Sequence, residues 1–131
     1  MKNSIVKLAL CSVIGFSLLF SCKKEENKGS GDSRNIKYEI TGNATGTFDA
    51  TYITGAGTGA NDIPTSLPWS KEVVIQAGIT GVVFNSAVIG ATPGKTITSK
   101  IYVGGVVKKE ETAIVQSNGT AIIAGLAYNF K

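Results

Sequence analysis

Residues 36–41 read IKYEIT, with Ile36, Tyr38 and Ile40 at one parity and Lys37, Glu39 and Thr41 at the other. Successive side chains of a strand point to opposite faces, so this alternation marks a strand buried on one side. TFDATYI (47–53) repeats the device, with Phe48, Ala50 and Tyr52 set against Thr47, Asp49 and Thr51. Further on, WSKEVVIQA (69–77), GVVFNSAVI (81–89), KTITSKIYV (95–103), VVKKEETAI (106–114) and GTAIIAGLAYNF (119–130) are each bounded by Gly, Pro or Asn. Gly104 and Gly105 separate two β-branched runs, the pattern of a two-residue type I′ hairpin in which both turn residues take positive φ.

TGAGTGANDIPTSLP (54–68) carries too much Gly, Asn, Asp and Pro to read as regular structure and is expected to be a long loop. Nowhere beyond residue 22 do apolar residues recur at helical spacing over three turns. The expectation is an all-β fold, an antiparallel sandwich of about seven short strands over residues 36–131.

Upstream of the strands the composition changes twice. Lys2 and Lys7 precede LALCSVIGFSLLF (8–20), an apolar run shorter than the roughly 20 residues that span a bilayer, in the tripartite form of an export signal. Leu19, Phe20, Ser21 and Cys22 resemble a bacterial lipobox, although Phe20 is larger than the usual residue at its position. The resemblance implies cleavage before Cys22, a diacylglyceryl group on its thiol and an acylated amino terminus carrying chains such as palmitate. One acyl chain binds a membrane marginally, whereas two or three hold it stably. Cys11 lies within the apolar run and reads as an ordinary signal residue.

KKEENKGSGDSRN (23–35) has no large apolar residue and reads as a flexible tether. CKKEE (22–26) is similar to the surface-export signal of lipoproteins flipped to the cell exterior, and equally to a plain solvated spacer. The expected segments are therefore a signal at 1–21, a lipidated tether at 22–35 and a sandwich at 36–131. The expected location is the bacterial envelope, lipid-anchored, with the outer membrane favoured and the domain facing either the periplasm or the exterior.

Charge follows the same division. The chain is +4 overall. Loss of Lys2 and Lys7 leaves +2, and setting aside Lys23, Lys24, Lys28 and Arg34 with Glu25, Glu26 and Asp32 leaves +1 for residues 36–131. The basic character sits in the signal and tether, and no argument for nucleic acid survives.

Motifs that carry chemistry fail on spacing or context. GATPGKT (90–96) lacks one residue of a P-loop and runs into a strand where a phosphate site needs a helix amino terminus. GAGTGA (55–60) lacks the third glycine of a dinucleotide fingerprint. The chain has no histidine, the usual base for a nucleophile. In Ser70–Lys71 and Ser99–Lys100 the two side chains of each pair point to opposite faces of a strand. Glu39, Asp49, Asp62, Glu72, Glu110 and Glu111 are scattered, with Glu39 and Asp49 read as solvated faces of neighbouring strands. Asn61 and Asp62 alone are too few for calcium, which takes six to eight oxygens. Tyr38, Tyr52, Tyr102 and Tyr128 are expected to pack in the core or across strands.

Trp69 alternates with Lys71, Val73 and Ile75, which places the indole on an apolar face as a plug at one end of the core, with Lys71 snorkelling. Pro68 fits just before a strand, where no ladder N–H is needed.

Taken together, Tyr38, Glu39, Ile40, Thr41 and Gly42, then Thr51 and Tyr52, then Leu67, Pro68, Trp69, Ser70 and Lys71, and finally Ile101, Tyr102, Val103, Gly105 and Val107 resemble the MmpS family of mycobacterial membrane accessory proteins. The resemblance runs from about residue 37 to about residue 128 and implies a small immunoglobulin-like β-sandwich. It also implies a role beside resistance-nodulation-division transporters that export lipids. The anchor departs from the mycobacterial branch, which uses a transmembrane helix.

The functional expectation is a non-enzymatic envelope lipoprotein, without cofactor or metal, that meets the membrane through Cys22 and acts as an accessory of an export complex. The alternative is a surface module for glycan or lipid built on the loop between Ile53 and Leu67. The oligomeric state stays open, since edge strands can pair with another chain.

Overall fold

Strand β1, Asn35–Gly42, takes the period-two stretch, and its side chains alternate between the core and the outer face. The computed structural model describes residues 31–131. The expected signal, the lipobox and Cys22 lie outside the described residues.

Seven further strands follow: β2 (Thr47–Ile53), β3 (Gly59–Asp62), β4 (Trp69–Val74), β5 (Gly81–Ile89), β6 (Thr96–Val103), β7 (Val106–Ile114) and β8 (Ala121–Asn129). They form two four-stranded antiparallel sheets, β4-β1-β6-β7 and β3-β2-β5-β8, packed as a sandwich. The all-β reading holds, with eight strands in place of about seven. The additional strand is β3, which lies within the stretch expected to be irregular. Ala60, Asn61 and Asp62 pair with Tyr52, Thr51 and Ala50. Its hydrogen bonds come from a partner distant in sequence, which local composition does not report.

Between the sheets lies one core. Ile36, Tyr38 and Ile40 of β1 and Ile97 and Ile101 of β6 face Phe48, Phe84, Val88 and Ile123 of the other sheet. Tyr38 is fully buried, and its hydroxyl donates 2.8 Å to the carbonyl of Ile53, crossing from one sheet to the other. Ser86 and Ser99 are the buried polar pair, with their hydroxyl oxygens 2.6 Å apart.

The hairpin of β6 and β7 turns at Gly104 (φ 59°) and Gly105 (φ 86°), the two positive values that a type I′ turn requires. Trp69 stands opposite Ile40, Lys71 opposite Tyr38 and Val73 opposite Ile36, so these three side chains share the core face of the sheet. The indole is half-buried, stacked 6.1 Å from Phe84 and 6.0 Å from Tyr52, and so closes one end of an aromatic cluster. Lys71 reaches out at the open margin, its Nζ 3.8 Å from Asp62 and 5.8 Å from the centre of the Tyr52 ring. The Leu67–Pro68 bond just before β4 is cis.

The chain reaches β1 along the other end of the sandwich. The Asp32 carboxylate accepts the Tyr128 hydroxyl at 2.7 Å and the Lys131 N–H at 2.9 Å. Arg34 donates to the Ile79 carbonyl at 2.7 Å and lies 4.2 Å from the centre of the Phe130 ring. Both residues fall in the stretch read as tether, and both are fixed to the domain.

Candidate functional site

The antiparallel topology gathers four connections at the end opposite Arg34: residues 43–46, 63–68, 90–95 and 115–120. Their sequences are NATG, IPTSLP, GATPGK and VQSNGT, and Lys95 is the single charged residue among them. Turn and loop chemistry accounts for the Gly, Asn and Pro, but not for the near absence of charge on an exposed end.

These loops are tied to one another. Ala91 N–H donates to Gly119 O at 3.0 Å and Gly94 N–H to Val115 O at 2.9 Å, which joins the β5–β6 loop to the β7–β8 loop across the sheets. The Asn43 side-chain oxygen accepts the Thr96 N–H at 2.9 Å. Gly42 has φ 135°, and a Cβ there would strike the backbone of Thr96 and Ile97, so only glycine permits this close approach.

Large aliphatic side chains stand out from the same end. Ile63, Ile89, Ile114 and Ile122 are 59%, 59%, 56% and 62% exposed. Ile122 is opposite Ala87 on the outer face of its sheet, which makes it a diagonal neighbour of Ile89. Ile114 and Ile122 flank a groove of about 440 Å³ between the ends of β7 and β8. A smaller cleft of about 220 Å³ opens between the β1–β2 loop and Thr65–Leu67, with Phe48 among its lining residues.

The opposite end differs in kind. Its depression of about 720 Å³ is lined by Lys37, Glu72 and Tyr102 along with Val74 and the glycine turn. Val74 and Val106 are exposed there, but the charged Lys37 and Glu72 line the same depression as Val74. Charge is depleted at the centre of protein interfaces, and contiguous exposed apolar patches mark interaction sites. The loop end has both features, and the Arg34 end has one.

The structure disperses the residues weighed for chemistry. Ser99 is buried against Ser86, whereas Lys100 lies on the outer face with Nζ 3.5 Å from Glu110. Glu39 and Asp49 are not on neighbouring strands: β1 and β2 belong to different sheets, which puts the two carboxylates on opposite sides of the molecule. Glu39 accepts the Tyr102 hydroxyl at 2.7 Å, and that bond raises the Tyr102 pKa. The Asn61 amide N–H group donates to both carboxylate oxygens of Asp49 at 3.0 Å and lies equally close to the Thr51 hydroxyl. Asn61 and Asp62 point to opposite faces, so they do not converge on a cation. GATPGK is a loop leading into β6, and GAGTGA spans a turn and the start of β3.

Of the tyrosines, Tyr38, Tyr52 and Tyr128 are buried and Tyr102 alone lies on an outer face, beneath Lys37 at 4.1 Å. Among the described residues the tyrosines form no row of exposed rings. The sequence reading missed the isoleucines: each sits in a strand or loop by pattern, and only the topology brings them to one end.

The family described as Mycobacterium membrane protein matches residues 15–124, most of the chain. The chain belongs to that family. No curated protein matches it in sequence. In this Mycobacterium membrane protein family member the matched region takes in β1 to β7, including the Leu67–Lys71 stretch and the Gly104–Gly105 hairpin on which the resemblance rested. Membership makes it a membrane-associated protein, and among the described residues no helix is long and apolar enough to cross a membrane.

Proposed function

We infer that this family member is a non-enzymatic envelope lipoprotein. Cys22 carries the acyl anchor, residues 23–31 act as a spacer, and the sandwich serves as an accessory to an envelope protein complex of the export (RND) type. The observation that carries this reading is the loop end: four loops, three of them tied by hydrogen bonds, with Lys95 as their single charge, and Ile63, Ile89, Ile114 and Ile122 exposed around them. A rigid, weakly charged, aliphatic surface suits a protein partner, and its position opposite Arg34 leaves it free when the chain is held from its amino-terminal side. Family membership supports the membrane setting.

Two measurements test the parts separately. Cys22→Ala should abolish labelling of the chain by an alkynyl fatty acid, and retained labelling refutes the anchor. A photo-reactive residue at Ile122 should cross-link in cells to an envelope transporter subunit identified by mass, while one at Ala77, at the Arg34 end, should not. Equal capture from both positions, or none from Ile122, refutes the interface.

A further inference from the structure

We propose that β7 pairs edge to edge with β7 of a second copy, antiparallel and centred on Glu110, so that the β4-β1-β6-β7 sheet continues across a two-fold axis. β7 is one of the two edges of that sheet, the other being β4, and is exposed along almost its whole length. A free edge offers unpaired N–H and C=O groups, and charged side chains normally deter pairing there. On β7 the charges run Lys108, Lys109, Glu110, Glu111, an order that deters most strands but complements its own reverse.

The register follows from geometry. Same-face side chains must lie opposite one another, so a two-fold axis between antiparallel strands passes through a residue. With the axis through Glu110, Lys109 faces Glu111 of the second copy and Glu111 faces its Lys109. Both residues stand on the core-side face, opposite Ile101 and Ser99. Neither has an ion-pair partner among the described residues of its own chain. The one like pair, Glu110 with Glu110, is offset because each Glu110 already has Lys100 at 3.5 Å.

Other registers are worse. An axis through Lys109 also makes two opposite pairs, Lys108 with Glu110, but it uses the bulged Lys108 for them and sets the unpartnered Lys109 ammonium against itself; an axis through Glu111 creates no opposite pair at all. Parallel pairing in register stacks Lys on Lys. The bulge between Ile101 and Tyr102 leaves Lys108 without a partner on β6 and ends the regular edge there, which confines the pairing to Lys108–Thr112.

The two-fold sets the copies head to tail. A spacer of residues 22–31 reaches about 35 Å at full extension, longer than the roughly 30 Å of a nine-residue strand, so both copies can be held to one membrane.

The test uses the full chain in mild detergent, measured by sedimentation equilibrium. The unsubstituted chain should dimerise. Lys109→Glu and Glu111→Lys should each weaken the dimer about tenfold or more, and the double reversal should restore it to within about threefold. In native membranes, Glu110→Cys should form a disulfide-linked dimer on mild oxidation under conditions where the unsubstituted chain does not. A chain that stays monomeric at about 100 µM, a double reversal as weak as the single ones, or no cross-link through Glu110→Cys overturns the proposal.

Discussion

The hydroxyl oxygens of Ser86 on β5 and Ser99 on β6 lie 2.6 Å apart, among the described residues the one hydrogen bond between side chains that joins the two sheets inside the apolar core. Each hydroxyl answers the other's need for a partner. Ser99→Ala should therefore destabilise the domain by about 1–3 kcal/mol, since it leaves Ser86 buried and unsatisfied. The double change Ser86→Ala with Ser99→Ala should cost less than the sum of the single ones. Urea unfolding followed by Trp69 fluorescence measures both.

Trp69 closes the aromatic cluster of Tyr38, Tyr52 and Phe84, with its ring 6.1 Å from Phe84. Trp69→Ala removes that packing at a half-buried position and should cost about 3 kcal/mol. Trp69→Phe should recover more than half of the loss. A Trp69→Ala domain of unchanged stability would contradict the role as a plug.

High pH should unfold the domain through its tyrosines. Burial raises the pKa of Tyr38 well above its ordinary 10.0, and the bonds from Tyr102 to Glu39 and from Tyr128 to Asp32 raise theirs. A phenol held protonated in the fold but not in the open chain contributes stability that is whole below about pH 10 and declines as pH rises toward the folded value. Stability against urea should fall from pH 10 upward, and the phenolate absorbance of Tyr38 should appear with unfolding and not before it. Reversible ionisation of every tyrosine in the folded domain would contradict this.

Asp32 is the other pH-dependent contact. The Tyr128 hydroxyl, and then the Lys131 N–H, hold its carboxyl below the ordinary 3.8. This latch is present above about pH 4 and is lost as pH falls through the lowered value. Asp32→Ala should speed hydrogen exchange at residues 128–131 while leaving β1 protected, and unchanged exchange would refute the latch.

Much of this architecture can be read from the residues. The alternation in IKYEIT sets which side chains of β1 enter the core, and Gly104–Gly105 marks its hairpin because two consecutive positive φ values demand glycine. The parity of Trp69, Lys71 and Val73 places the indole inward, as observed. Alternation assigns faces but not partners, which is why β1 and β2 read as neighbours yet lie in different sheets. β3 stayed hidden because Gly59–Asp62 becomes a strand through pairing with β2, not through its own composition. The loop end was half visible: its lack of charge is written in four short stretches, but their convergence, and the exposure of Ile89, Ile114 and Ile122 beside them, belongs to the topology.

That end also yields a surface prediction. Ile89→Lys and Ile122→Lys replace exposed side chains on an outer face, so stability should change by no more than about 0.5 kcal/mol. Capture of a membrane partner should nevertheless drop severalfold or more, read by quantitative cross-linking in cells. A loss of partner that tracks a loss of folded protein would contradict a docking role.

The most direct test of the account is the photo-cross-link from Ile122 in living cells, compared with one from Ala77 at the Arg34 end. The account predicts a specific adduct with an envelope export protein from Ile122 and none from Ala77; equal adducts from both positions, or no adduct from Ile122, would contradict it.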